Sequence, residues 1–291
     1  MSHSHFDPAS ELVIVGLARN CQKTLRHDID VLTAATRDFA NVRLLVVESD
    51  SNDATPTLLR KLSEERADLA FISLGSLAVQ HPLRTDRIAV CRNRYLDELQ
   101  RNPLYASTDY VLVADLDGAN RDLTAAAVQS CWRSDEAWDV CTANQRDAYY
   151  DVWALRHPQW CPDDCWQQYR WLRPLFGHEQ ALSVAIHSRM VRLEANSNWI
   201  EVESAFGGLA LYRRRALLAG RYKGLDEAGE QICEHVPLHA RLRQLGCRIF
   251  INPALINANR TEHSARKRWH VRLRRRIESL GKQARSYWRG Y

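Results

Sequence analysis

Tyr110-Val111-Leu112-Val113-Ala114-Asp115-Leu116-Asp117 is an apolar run that ends abruptly in two carboxylates. Consecutive apolar residues bounded by polar sequence fit a strand buried on both faces of a parallel sheet, where no alternation with polar residues is needed. Carboxylates two residues apart project from the same side of an extended chain. Oxygen donors so placed suit a hard divalent cation, and such a cation can hold a diphosphate. Asp-x-Asp is by itself a frequent spacing whose ordinary reading is a solvated turn at a strand end, so the neighbouring sequence has to decide.

Outward from this run the same pattern repeats. Residues 12–17 form a second apolar run that leaves through Ala18-Arg19-Asn20. Residues 42–47 form a third, ending in the polar turn Glu48-Ser49-Asp50-Ser51-Asn52-Asp53, and 69–74 a fourth. Helical stretches separate them: one to about residue 39, one over 55–66 and one over 84–99, in which Ile88, Cys91, Tyr95 and Leu99 recur at helical spacing. Strands alternating with helices predict an α/β fold with a mostly parallel, Rossmann-like sheet flanked by helices. Ligands of such sheets sit beyond the carboxyl ends of the strands, where Arg19, Glu48, Asp53, Asp115 and Asp117 all fall.

Downstream, a helix is expected over 123–132. The stretch 140–199 holds Trp153, Trp160, Trp166, Trp171 and Trp199 with few secondary-structure signals. Aromatic faces stack on sugar rings, so some of these should face a cleft and the rest should pack. Residues 202–212 read as a strand interrupted by Gly207-Gly208, a sign of close backbone approach. Glu234-His235 opens a helix over 236–245, and a last strand over 248–251 is closed by Asn252-Pro253.

A chain of 291 residues can bury one large core. The expected organisation is a flexible leader (1–10), one domain (11–263, with a donor half to 120 and an acceptor half beyond) and a basic tail (264–291). Eight cysteines without scaffold-like spacing point to a reducing cytoplasm. No basic-then-apolar leader and no bilayer-length apolar stretch is present. The net charge of +5 is unevenly spread: 264–291 carries ten Lys or Arg against Glu278, which leaves 1–263 negative. In the tail, Trp269, Leu273, Ile277, Leu280, Ala284 and Trp288 recur at helical spacing. Such a basic amphipathic helix fits an anionic membrane surface and peripheral attachment at the cytoplasmic face. Packing on the domain or on a second subunit is the other reading. Nucleic acid is not expected, because the domain itself is acidic.

Taken in order, these elements resemble the GT-A superfamily of nucleotide-sugar glycosyltransferases: the first strand with Arg19-Asn20, the 48–55 turn, Arg92-Asn93, Asp115-Leu116-Asp117, Phe206-Gly207-Gly208, and Glu234-His235 with the strand after it. Arg87-Ile88 with Arg92-Asn93, Tyr149-Tyr150-Asp151-Val152-Trp153-Ala154 and Phe250-Ile251-Asn252-Pro253 are similar to the fungal capsular α-1,3-mannosyltransferase family. The resemblance implies a Mn²⁺- or Mg²⁺-dependent transfer of a hexosyl group, mannosyl in the narrower family, from a GDP- or UDP-sugar to a glycan or lipid-linked acceptor in polysaccharide or glycolipid assembly. It makes Asp115 and Asp117 the metal edge, with Asp115 also near the ribose, and His263 a third metal ligand. Glu48 and Asp53 become nucleoside contacts, although Asp53 also suits a helix cap. Arg19, Arg87 and Arg92 are phosphate candidates, since a guanidinium donates paired hydrogen bonds to a phosphate. Glu234, with His235, is the catalytic candidate: a general base in an inverting enzyme, or an orienting group in a retaining one. A sugar-nucleotide pyrophosphorylase and a non-catalytic carbohydrate-binding protein are the competing functions. The first normally opens on a glycine-rich loop, which 16–20 is not; the second needs no metal edge.

Overall fold

A computed structural model of the chain describes residues 5–259. Four parallel strands, β1 (Glu11–Ala18), β2 (Asn41–Glu48), β3 (Leu69–Ser73) and β4 (Tyr110–Asp115), are joined by the helices α1 (Leu25–Ala35), α2 (Thr55–Glu65) and α3 (Arg84–Arg101). Next come α4 (Ala125–Gln129), β5 (Val140–Gln145), α5 (Cys165–Ala185), β6 (Ile200–Glu201) and β7 (Leu209–Arg213). The last elements are α6 (Arg214–Leu217), α7 (His235–Gln244) and β8 (Ile249–Ala258). The eight strands of the described residues share one sheet in the order β3-β2-β1-β4-β7-β5-β8-β6.

Each strand of the first half sends alternate residues to opposite faces. Leu12, Ile14, Leu44 and Val46 meet Leu25, Ile29, Leu32 and Leu59 of α1 and α2 on one side. Val13, Val15, Leu45 and Val47 meet Tyr95, Leu96 and Leu99 of α3 and Leu238 and Leu242 of α7 on the other. Each fully buried Leu or Ile contributes about 1.5–3 kcal/mol, so these two layers fix the sheet between helices. The α/β expectation is met.

The order of the strands places the site. The chain builds outward from β1 to β3, then α3 crosses back and sets β4 on the other side of β1. The crevice beyond the carboxyl ends at such a reversal is the natural ligand position of an open sheet. Register puts Leu17 beside Asp115 and Ala18 beside Glu48, so the three strand ends are level.

Four expectations are corrected. The helix expected over 123–132 is a short α4 followed by a 3-10 turn over Ser130–Trp132. Of the stretch 202–212 only 209–212 belongs to a strand, β7, because Gly207 and Gly208, both at positive φ, break the extended chain before it. Asn252-Pro253 does not end the last strand. Between Thr142 and Asn144 of β5, the paired residues of β8 advance from Ile251 to Ile256, and this irregularity takes up the proline, which has no N–H to give the ladder. Finally, 165–185 is helical, with a break at Gly177 (φ 78°, ψ 173°); Pro174 and Gly177 mask the helical pattern in the sequence. Among the described residues no helix is long and apolar enough to cross a membrane. His263 and the tail lie outside the described residues.

Candidate active site

A cavity of about 580 Å³ opens over the carboxyl ends of β1, β2 and β4. Asp115 forms its floor. The Asp115 backbone N–H donates to Gly208 O at 3.0 Å, and its carbonyl accepts from Asn120 Nδ2 at 2.8 Å. Gly208 is obligatory there: its φ is +80°, and a Cβ would stand 2.9 Å from the Tyr150 hydroxyl. Leu116 turns inward, close over Gly16 of β1, where a Cβ would lie 2.8 Å from the leucine side chain. Asp117 is thereby left exposed at the mouth, on a turn closed by Gly118 (φ +87°), whose N–H donates to buried Asp28 at 3.0 Å.

Negative charge concentrates here. Burial pushes the Asp115 carboxyl up to about 7, and the neighbouring charge of Asp117 adds to the rise. Arg92 opposes the shift, while Asp151 and Glu234 reinforce it. Asp151 lines the same cavity, its Oδ2 accepting from Gly207 N at 3.0 Å. Among the described residues no three carboxylate, histidine or cysteine groups come together closely enough to hold an ion by themselves.

Arg92 is not placed to bind phosphate. Its guanidinium is buried, donating from Nε to Glu234 Oε1 at 2.9 Å and from Nη2 to Asp115 Oδ1 at 3.4 Å, with its plane near the rings of Phe206 and Tyr222. The phosphate expectation for this residue is therefore corrected: Arg92 lines the cavity from the inward face of α3, but each of its three guanidinium nitrogens already donates to Glu234, Tyr95 or Asp115. Arg87 is largely engaged as well, donating from Nη1 to the carbonyls of His81 and Pro82 at 2.7 and 2.8 Å. Arg19 keeps the expected place at the exposed rim, its Nε donating to Asp50 O at 3.3 Å. Arg84, the exposed first residue of α3, lines the same rim and was missed; nothing in its spacing distinguishes it from a solvated helix start.

At the end of β2 the expected residues turn away. Glu48 is buried and accepts from Ser73 Oγ and Ser51 N, so it braces the turn. Asp53 accepts from Thr55 N at 2.9 Å and Gln22 N at 3.3 Å, a helix-start brace. Neither lines the cavity. Asp50 does. Held at φ +55°, it accepts through Oδ1 from Leu77 N and Ala78 N, both at 3.0 Å, while buried Oδ2 has no hydrogen-bond partner and lies 3.8 Å from Arg87 Nε. Its positive φ could have singled it out only once the turn conformation was known.

On the far wall, Glu234 and His235 stand where α7 begins. Glu234 is buried against Arg92. His235 is buried flat on Phe206, centroids 3.9 Å apart, and neither ring nitrogen has a hydrogen-bond partner. Burial drives its pKa well down, so it is uncharged at neutral pH. Of the five tryptophans, Trp153 and Trp166 reach the cavity. Trp160 is tied to Arg189 O, Trp199 packs on Phe250, and Trp171 is exposed elsewhere.

No family model matches the sequence, and no curated protein matches it. Solved structures similar to it include mannosyltransferase PcManGT from Pyrobaculum calidifontis, in complex with GDP-Man and Mn²⁺. That match has 19% identity and a TM-score of 0.49, and covers 87% of this chain and 58% of that one. S. aureus TarS 1–349 in complex with UDP-GlcNAc follows at 13% identity, covering 88% and 60%, with a TM-score of 0.47. Glucosyl-3-phosphoglycerate synthase from Mycobacterium tuberculosis, in complex with Mn²⁺, UDP and phosphoglyceric acid, matches at 15%, covering 86% and 67%, with a TM-score of 0.39. The chain thus spans less than two-thirds of the length of the first two.

Proposed function

We infer that this chain is a metal-dependent GT-A-type glycosyltransferase that moves a hexosyl group from a GDP- or UDP-sugar to a glycan or lipid-linked glycan acceptor. The observation that carries the reading is the acidic edge at the sheet reversal: Asp115, Asp117 and Asp151 line one cavity with Glu234, and burial beside Asp117 lifts Asp115 to about 7. A carboxylate so destabilised is relieved by a cation. The donor set fits Mn²⁺ or Mg²⁺, since Asp115 and Asp117 offer hard oxygens and leave most of the coordination shell to diphosphate and water. Such an ion, when bound, neutralises the departing diphosphate.

The remaining roles belong to the chain itself. Arg19 and Arg84 at the rim donate to the phosphates. Asp50 Oδ2, buried and without a hydrogen-bond partner, accepts an N–H of the nucleobase. Trp153 and Trp166 offer apolar faces to a sugar on the acceptor side. Glu234, held by Arg92, orients the acceptor or the donor sugar; uncharged His235 walls it off from water and moves no proton at neutral pH. The mannosyl donor follows from the resemblance to the fungal capsular mannosyltransferases, and His263 stays the proposed third ligand.

A thermal-shift screen of GDP- and UDP-sugars with and without Mn²⁺ tests this reading, because a ligand that binds only the folded state raises its melting temperature. The expected result is stabilisation that requires both nucleotide and metal. If no nucleotide sugar stabilises the chain in the presence of Mn²⁺, the reading falls.

A further inference from the structure

The two halves of α5 meet at a corner that the cavity does not use. Residues 165–176 and 178–185 are separate helical pieces joined at Gly177, where φ and ψ leave the helical region. Tyr169 on the first piece pairs with His178 on the second through OH and Nδ1 at 2.8 Å. Leu172 on one piece shares a small core of its own with Ala181 and Ala185 on the other. Beyond this staple every residue from Arg173 to Gln180 is exposed, so the corner projects from the body. At it stand Leu175 (64% exposed) and Phe176 (59%), with Trp171 (68%) one turn earlier. Arg170 and Arg173 are exposed beside them, and Glu179 is the one acid within the helix.

We propose that this corner seats in an anionic phospholipid surface, with Trp171, Leu175 and Phe176 entering the headgroup boundary and Arg170 and Arg173 meeting lipid phosphates. Apolar side chains interleaved with cations are the pattern of interfacial anchors, whose arginines lie along the apolar surface with their heads at the phosphates. A second copy of the chain is the poorer partner. Stable interfaces bury about 800 Å² on each side, and three large side chains on a projecting corner supply only a fraction of that. A bilayer, being deformable, accepts a protrusion. The position also has a use: Trp166 near the start of α5 and Ile186 and Met190 just after its end line the cavity, so the helix links the acceptor wall to the corner. The proposal rests on the glycosyltransferase reading only for this use, that of presenting a lipid-linked acceptor.

Co-sedimentation of the full chain with phosphatidylglycerol/phosphatidylcholine vesicles, and with phosphatidylcholine alone, tests it. No nucleotide or metal is present, so the outcome is separate from that of the thermal-shift screen. The wild-type chain is expected to prefer the anionic vesicles. Leu175→Ser/Phe176→Ser should weaken partitioning about tenfold or more, and Arg170→Glu/Arg173→Glu should remove the preference for phosphatidylglycerol, both with unchanged melting curves. Three results would each overturn the proposal: no vesicle binding by wild type, binding untouched by the corner variants because the basic tail supplies all of it, or a dimer in sedimentation velocity that the Leu175/Phe176 variant dissolves.

Discussion

Arg92 on α3 donates from Nε to Glu234 Oε1 at 2.9 Å across 142 positions of sequence, and from Nη2 reaches Asp115 Oδ1 at 3.4 Å. One buried cation thus ties the acidic edge of the cleft to its far wall. Removing one partner of a buried pair leaves the other charge uncompensated, at a cost of about 3–5 kcal/mol. Arg92→Ala should lose that much in urea unfolding. Glu234→Gln, whose amide oxygen still accepts from the guanidinium, should lose less. Combined with Arg92→Ala, it should add little further loss. Additive losses in that cycle would show that the pair is not coupled.

In the proposed function, Asp115 should make metal binding depend on pH. Its folded value of about 7 lies above the usual 3.8, so the metal-free folded state holds a proton that the unfolded state has released between those limits. The contribution to stability is fully present below about pH 4 and is lost as pH rises through about 7. A cation must displace that proton below pH 7, so apparent Mn²⁺ affinity should fall by about tenfold per pH unit on acidification. Asp115→Asn should abolish Mn²⁺-dependent nucleotide binding and also remove the alkaline loss, melting above the metal-free wild type at pH 8. Melting curves at pH 5 and 8 and calorimetry of Mn²⁺ binding check both signs.

The opposite sign belongs to His239. It is buried between Ser204 Oγ (2.9 Å) and Tyr212 OH (2.7 Å), and burial lowers its pKa to about 3. An unfolded histidine titrates near 6.5, so below that pH the unfolded state takes up a proton that the folded state refuses. Stability present above about 6.5 should be lost toward pH 3, by about 1.4 kcal/mol per pH unit for each such histidine; His235 shifts the same way. His239→Gln should reduce the slope of unfolding free energy between pH 7 and 5 by an amount that approaches one proton at the acid end. A slope equal to that of wild type would mean that His239 titrates normally.

Periodicity made the first half-sheet legible, because β1, β2 and β4 are buried on both faces over most of their length and therefore read as unbroken apolar runs, and the edge strand β3 is a short apolar run beside them. It also located the strand ends, and with them Arg19, Asp115 and Asp117. Side-chain direction beyond a strand end was not legible. Whether Glu48, Asp50 or Asp53 faces the cavity depends on one left-handed residue in the turn, Asp50 itself. Arg92 illustrates the same limit: a guanidinium on the helix before a strand that ends in carboxylates suggests phosphate, and only the packing of α3 against α7 and Phe206 turns it into an internal counter-ion. The α5 helix was hidden by Pro174 and Gly177, which ordinarily end helices and here mark its corner.

The turn after β2 therefore separates two assignments by experiment. Asp50→Asn keeps an acceptor for Leu77 N and Ala78 N but removes the charge that faces Arg87 and that, in the proposed function, meets the nucleobase. A hydrogen bond to a charged group contributes about 1.5–3 kcal/mol, so this variant should bind nucleotide roughly tenfold or more weakly while melting near wild type. Asp53→Ala should behave in reverse. It loses the acceptor for Thr55 N and Gln22 N and with it about 1 kcal/mol of stability, yet nucleotide affinity in the presence of Mn²⁺ should stay within about twofold of wild type, a free-energy difference well below the 1.4 kcal/mol of a tenfold change. Fluorescence titration with GDP and UDP, alongside thermal melts of both variants, decides the matter. Should Asp53→Ala weaken the nucleotide and Asp50→Asn leave it unchanged, the nucleoside lies on the other side of the turn from the cavity mapped by Asp50.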